Sequence, residues 1–161
     1  MANEILQKPS TQVNWGSAGG ETHTLTIANL ANGAGRVGVK HDCGATHAQR
    51  WRWYAKLDFN VAPTAGNTVD FYMAFSHDNT NFDGDHGGAD AALGSTTQLP
   101  NMQYIGSHVC LNNTDNQWSG GIFFMDSRYV APCIYNASGQ LLTNAAADQE
   151  FIIEPIIDEI Q

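Results

Sequence analysis

Positive charge is scarce in this chain of 161 residues. Seven lysines and arginines stand against 16 aspartates and glutamates, which gives a formal net charge of −9. A nucleic-acid-binding protein needs a basic stripe to neutralise phosphates, and anionic membrane surfaces attract basic segments. The charge balance therefore predicts neither nucleic acid nor membrane as a partner.

Long apolar runs and paired cysteines are missing as well. No run approaches the roughly 18 apolar residues of a membrane span, and the amino terminus has no basic and apolar blocks of a signal peptide. Cys43, Cys110 and Cys133 are odd in number and show no CxxC spacing, so no zinc site is implied. We expect buried free thiols in a protein made in a reducing cytosol; one disulfide with one free thiol is the alternative.

Short segments with the period-two alternation of β-strands dominate the chain, and no segment has a convincing amphipathic helical pattern. In residues 50–61, the side chains of Trp51, Trp53 and every second residue to Val61 share one face. About eight such strands with frequent turns predict an all-β fold: a two-sheet antiparallel sandwich, jelly-roll-like. The eight segments are 23–30, 35–41, 50–61, 69–75, 103–111, 119–125, 128–136 and 149–158.

Two further expectations concern the boundaries of this sandwich. Residues 1–20 contain few apolar residues, so we expect an extended N-terminal arm, with the sandwich domain over 21–161. Pro132 and Pro155 fall inside predicted strands. Because proline removes a donor from the hydrogen-bond ladder, we expect these residues at sheet edges or at bulges.

A long loop rich in Asp, Asn and Gly follows the strand at 69–75, and loops of this length are commonly functional. Its side-chain oxygens are of the type that calcium prefers, but the spacing is not that of an EF-hand. Turn formation explains the same composition, so no metal ligand is assigned and a cation at Asp83, Asp85 and Asp90 stays open. The oxygen-bearing residues are Asp78, Asn79, Asn81, Asp83, Asp85 and Asp90.

Catalytic patterns are weak. The histidines show no metal-ligand spacing and are expected to be scattered, although His77 and His86 flank the acidic loop. Ser107-His108 has no nucleophile-elbow context, and aspartate pairs for glycoside hydrolysis can be recognised only in space. We therefore predict a non-enzymatic protein with no catalytic residue and no cofactor. The histidines are His23, His41, His47, His77, His86 and His108.

Aromatic residues form the remaining candidate group, as a platform on which sugars stack. Trp51 and Trp53 are in register with Leu57 and Phe59, which predicts core positions instead. Tyr54 and Tyr72 lie on the opposite strand faces, where a protein interface is the better interpretation. The full candidate set is Trp15, Trp51, Trp53, Trp118, Tyr54, Tyr72 and Tyr104.

Short motifs recur through the second half of the chain: Val69-Asp-Phe-Tyr-Met-Ala-Phe-Ser76, Gly87-Gly-Ala-Asp-Ala-Ala92, Tyr104-Ile-Gly-Ser107, Arg128-Tyr129 with Asn136-Ala-Ser-Gly139, and Pro155-Ile-Ile-Asp-Glu159. Together they resemble a family of small tailed-bacteriophage virion proteins. The resemblance spans roughly residues 50–160, and its motifs are mostly structural. The amino-terminal third carries no motif of the family.

The resemblance implies a capsid decoration or cement protein that binds the major capsid protein at the virion surface after synthesis in the host cytoplasm. Such proteins are small, often trimeric β-sandwiches, so we expect a homo-oligomer, a trimer before a dimer. The alternative is a carbohydrate- or receptor-binding sandwich of the phage tail, with calcium held by the acidic loop. The family supplies no catalytic residues.

Overall fold

Twelve β-strands and two short 3₁₀ helices make up the part of the chain that the computed structural model describes, the backbone of residues 5–160 and the side chains of residues 7–158. No helix in this part is long and apolar enough to cross a membrane. The helices are Thr96–Asn101 and Ala146–Asp148. The strands are β1 (Ile5–Pro9), β2 (Val13–Gly16), β3 (His23–Thr24), β4 (Gly35–Val37), β5 (His41–Asp42), β6 (Arg50–Leu57), β7 (Thr68–Ser76), β8 (Ala91–Ala92), β9 (Gln103–Val109), β10 (Gln117–Phe124), β11 (Tyr129–Ala137) and β12 (Glu150–Ile160).

Two six-stranded sheets pack face to face, which confirms the predicted sandwich. The first sheet has the order β10-β6-β12-β2-β3, with β1 also pairing with β12. The second has the order β8-β4-β11-β7-β9, with β5 also pairing with β11. All pairs are antiparallel except β2 with β3. The chain passes between the sheets after β3, β5, β6, β9, β10 and β11, so strands distant in sequence become neighbours.

The core lies between the two sheets and is built around aromatic rings. Trp53 lies 4.8 Å from Phe71 of the opposite sheet and 6.4 Å from Phe151, measured between ring centroids. Such tilted and offset pairs add to the stabilisation from burial. Both Trp51 and Trp53 are buried, as their register with Leu57 predicts.

Glycines on both edge strands make room for the Trp53 indole. A Cβ at Gly106 of β9 would lie 2.5 Å from Trp53 Cζ2, and a Cβ at Gly121 of β10 would lie 2.6 Å from Trp53 Nε1. The indole N–H donates to the carbonyl of Ile105 at 3.0 Å. One tryptophan therefore fixes the spacing of the two sheets where β9 and β10 approach each other.

The structure corrects the prediction that residues 1–20 form an extended arm outside the sandwich. Within residues 1–20, β1 pairs with β12, and β2 lies between β12 and β3 with Trp15 fully buried. Residues 1–4 of the predicted arm lie outside the described part. The low apolar content was misleading, because Val13 and Trp15 alone suffice for the buried face of a four-residue strand.

Two predicted strands are shorter than expected. Residues 23–30 form a strand only at His23–Thr24, and residues 35–41 divide into β4 and β5. Leu25 and Ile27 are buried as predicted, but the amide of Ile27 donates to the carbonyl of Leu25 within a turn. Alternation here reflects the packing of an irregular segment onto the core.

The two prolines lie in inner strands, so the edge prediction is wrong, but each faces a break in a neighbouring strand. Pro132 of β11 lies opposite the interruption between β4 and β5, and its carbonyl accepts from the amide of Gly38. Pro155 of β12 lies opposite the interruption between β1 and β2, and its carbonyl accepts from the amide of Ser10. No regular ladder needs the missing N–H groups at these places.

The outer face of the second sheet is covered by the segment that follows β7. Phe82, Leu99 and Met102 pack there against Ala74, Ala131 and Cys133 as a second apolar cluster. A capping box at Ser95 and Gln98 starts the 3₁₀ helix that carries Leu99. The acidic loop thus contributes a core residue, Phe82, although its composition predicted none.

Candidate functional site

Exposed apolar side chains concentrate on the two edge strands β9 and β10. Among the described residues, eight large apolar side chains are exposed, and six of them lie on or just after these strands. The other two are Val61 and Leu141. We call the six the β9–β10 surface; they are Tyr104, Val109, Leu111, Trp118, Ile122 and Phe124.

Strand alternation and edge position produce this surface. β10 pairs only with β6 and β9 only with β7, so each strand has one free edge among the described strands. Trp118, Ile122 and Phe124 are alternate residues and point away from the core. Neither strand carries an Asp, Glu, Lys or Arg that would discourage pairing with another chain. Exposed apolar side chains gathered on two edge strands in this way are typical of a protein interaction site.

The four aspartates of the acidic loop have separate structural roles. Asp78 accepts from the amides of Thr80 and Asn81 at 2.9 and 2.8 Å, and these bonds hold the pKa of its carboxyl below the ordinary range. Asp83 accepts from the amide of Phe75. Asp85 is exposed, with a left-handed φ of 57°. The carboxylates of Asp78 and Asp83 therefore serve the local chain path.

Asp90 joins the loop to the second sheet. Its carboxylate accepts two hydrogen bonds from Arg36 of β4, at 2.8 and 2.5 Å, and two from Thr26. Burial alone would raise the pKa of Asp90, but the bonds from Arg36 and Thr26 outweigh it and lower the pKa. Within the described residues, no three His, Cys, Asp or Glu side chains are grouped for a metal ion. Asp83, Asp85 and Asp90 are thus not brought together as a cation site.

His77 and His86, the histidines at the ends of the loop, have different partners. His86 is buried with Nε2 3.2 Å from the carbonyl oxygen of Gly38, whereas exposed His77 has Nε2 3.5 Å from Ser127 Oγ. A closer pair forms elsewhere: His23 Nε2 of β3 lies 2.8 Å from His41 Nδ1 of β5. This pair joins an edge of the first sheet to the second, a proximity that sequence spacing does not reveal.

The histidine pair predicts a pH-dependent stability. Burial lowers the pKa of His23, and burial together with the charge of His23 lowers that of His41; burial also lowers the pKa of His86. The unfolded chain then binds more protons below the ordinary histidine pKa of about 6.5, so stability is full above that pH and falls as the solution is acidified. We expect the Tm to decrease from about pH 7 to pH 5.

The variant His41→Gln should flatten this decrease, because it removes one titrating partner of the pair. His47→Gln is the matched control, since His47 contacts only the carbonyl oxygen of Gly44 among its described partners. Differential scanning calorimetry across the pH range measures both variants. Identical pH profiles for wild type and His41→Gln would contradict the assignment.

The sequence neighbours Ser107 and His108 do not act on each other. Ser107 Oγ donates to Asp70 on one side, while His108 is buried with Nε2 2.8 Å from Gln117 Oε1. The three cysteines are free, and burial raises their pKa values, to about 12 for Cys43, with a contribution from Asp42, about 11 for Cys110 and about 12 for Cys133. The thiols are therefore protonated at neutral pH and poorly nucleophilic.

A cleft of 620 Å³ opens at one end of the sandwich, where β6 and β9 begin and β7 and β10 end. Tyr129 of β11 pairs with Ser76 of β7, which brings the turn before β11 beside the acidic loop. Of the cleft residues, sequence reasoning singled out only His77 and Asp83. The others required knowledge of which strands are neighbours. The polar lining residues are Gln49, His77, Asp83, Gln103, Asp126 and Ser127.

Neither a family model nor a curated protein sequence matches this chain. The fold and the exposed groups define its class: a two-sheet β-sandwich with exposed, uncharged apolar side chains along the edge strands β9 and β10.

Proposed function

We propose that the protein is a non-enzymatic structural protein of a tailed-bacteriophage virion, a decoration or cement protein that binds the major capsid protein on the outside of the head. The β9–β10 surface is the observation that supports this role most. Shell binding needs an exposed contact area on a rigid frame, and these six residues provide one.

The size of the surface agrees with this role. Three of its side chains are aromatic, and an aromatic residue provides about 150–250 Å² when fully buried. With Trp118 60% exposed and Phe124 66% exposed, the six residues offer on the order of 600–700 Å² for contact. A standard protein interface buries about 800 Å² per partner. The exposed apolar area summed over the two strands is therefore close to what one partner contributes to an interface.

The resemblance is located in the framework that holds this surface. Its motifs fall on β7, β9, β11 and β12 and on the segment through β8, and β9 itself belongs to the surface. The shell sites are symmetric, so we propose a homo-oligomer on the particle, a trimer before a dimer. Sedimentation velocity of the free protein and electron microscopy of native particles, which separates head from tail, test this arrangement.

Removing apolar contacts from the surface should reduce attachment. We expect the double variant Leu111→Ser with Trp118→Ser to lower occupancy on purified heads by about tenfold or more, because truncated aromatic anchors commonly cost more than 1–2 kcal/mol. Both residues are about 60% exposed, so the fold should be retained. Quantitative gel analysis of heads saturated with each protein measures the occupancy.

Val61→Ser is the matched control, because Val61 is 58% exposed and lies outside the surface. Its occupancy should equal that of the wild type. Full occupancy of the double variant would contradict shell binding through this surface. Labelling of the tail and not the head would instead support the carbohydrate- or receptor-binding alternative.

A further inference from the structure

Two clefts share the residues Phe124 and Gln49 in their walls. The first, of 620 Å³, is the cleft at the end of the sandwich described above, and the second, of 560 Å³, lies along β1 and the end of β12. Both volumes are within the range of ordinary small-ligand sites. The two clefts together therefore form one extended track with an aromatic residue at its midpoint.

Phe124 is suited to contact a ligand because most of its ring is in solvent. It is the last residue of β10 and the most exposed large apolar side chain of the described residues, at 66%. A flat exposed ring binds the apolar face of a cyclic ligand and fixes its orientation without a deep pocket.

Amide and carboxylate side chains surround the Phe124 ring on the side of the first cleft. Gln49 and Gln103 provide amides that donate and accept, and neither side chain has a hydrogen bond to another described residue. Asp83 uses one carboxylate oxygen for the amide of Phe75, and Asp126 receives only a 3.3 Å bond from Ser127. The remaining capacity matches a ligand with several hydroxyl groups.

The charges of both clefts argue against an anionic ligand. Among the described residues, no lysine or arginine lines the first cleft, whereas Asp83 and Asp126 do. In the second cleft the Arg50 guanidinium donates to Gln7 Oε1, a neutral acceptor, and Gln7 Nε2 donates to the Asp158 carboxylate at 3.2 Å. Three carboxylates therefore stand against one cation in the two clefts, so a phosphate or sulfate would meet mostly repulsive charge.

We propose that these two clefts bind a linear oligosaccharide of uncharged or amino-bearing sugars, with one sugar ring packed on Phe124 and neighbouring rings in the clefts. The aromatic ring supplies the apolar contact, and Gln49, Gln103 and Asp126 bind hydroxyl or amino groups. The site shares Phe124 with the β9–β10 surface, but Trp118 and Leu111, on which the test of shell attachment depends, line neither cleft.

Calorimetric titration of the full chain with chitotriose and with maltotriose tests the proposal, and a sulfated heparin trisaccharide and a short oligolysine serve as further probes. We expect saturable binding of at least one uncharged trisaccharide and none of the sulfated one. Phe124→Ala should weaken binding by about tenfold or more, and Asp126→Asn by severalfold.

Trp118→Ala is the matched control, because Trp118 is an equally exposed aromatic of the same strand face that lines neither cleft. Its affinity should stay within about twofold of the wild type. The proposal is overturned if neither uncharged trisaccharide binds, if Phe124→Ala binds as the wild type does, or if the heparin or oligolysine probe binds more tightly. Thermal unfolding of each variant confirms that the fold is retained.

Discussion

Replacing Trp15 with alanine is expected to lower the free energy of unfolding by about 3–5 kcal/mol. Trp15 is fully buried in β2, its ring lies 6.1 Å from Phe151, and its indole N–H donates to the carbonyl of Val39 at 2.6 Å. Alanine leaves a large cavity and an acceptor without its donor, and both effects are destabilising. Urea unfolding followed by circular dichroism measures the change.

Trp118→Ala provides the comparison, since it removes the same side chain from a position that is 60% exposed. Its effect on stability should be within about 0.5 kcal/mol. If Trp15→Ala were equally mild, residues 13–16 would be an arm outside the core, as the sequence alone suggested. An N-terminal truncation through residue 17 would therefore remove a core strand, β2.

The strands that sequence patterns predicted well are those with a row of buried side chains over seven or more residues. β6 and β7 bury mainly one face and β11 buries both at its centre, and the ends of all three agree with the predicted segments to within a few residues. Short strands such as β2 and β8 carry only one or two alternations, which chance also produces. Their position depends on pairing with strands distant in the sequence, and periodicity contains no information about partners.

The same reason limits prediction of the candidate sites. Trp51 lies in a predicted strand and Trp118 directly precedes one, but only the sheet order shows that β6 is an inner strand and β10 an edge. Asp126 and Ser127 were not singled out because two polar residues between strands are an ordinary turn. Their meeting with His77 follows from the pairing of β11 with β7, which joins positions 50 residues apart.

The acidic loop shows what composition leaves undecided. The sequence assigned no metal ligand and left a cation at Asp83, Asp85 and Asp90 open, and the described structure uses carboxylates of the loop to hold the chain path through backbone amides and Arg36. The sequence identifies which side chains could bind a cation, but it does not show the direction in which each side chain points. Asp90 therefore provides the strongest test of a structural role.

We expect Asp90→Ala to lower the free energy of unfolding by about 2–3 kcal/mol. The carboxylate is 13% exposed and receives four hydrogen bonds, two of them from the Arg36 guanidinium. Its removal leaves a partly buried cation without its partner, although the remaining exposure of Arg36 lets water offset some of the loss. Chemical denaturation at neutral pH measures the difference. Asp90→Asn keeps one acceptor oxygen, so its free energy of unfolding should lie between those of the wild type and Asp90→Ala.

Asp115→Ala is the control, because Asp115 is exposed and makes no hydrogen bond to another described residue; it should change stability by less than about 0.5 kcal/mol. The pH dependence of the free energy of unfolding adds a second readout. Since the pKa of Asp90 is lower in the folded chain, its contribution to stability is complete above about pH 5 and is lost as the pH falls. The stability of Asp90→Ala should therefore decrease less on acidification than that of the wild type. If calcium raised the Tm of the wild type but not of Asp90→Ala, the carboxylate would be a cation ligand and the structural role would be wrong.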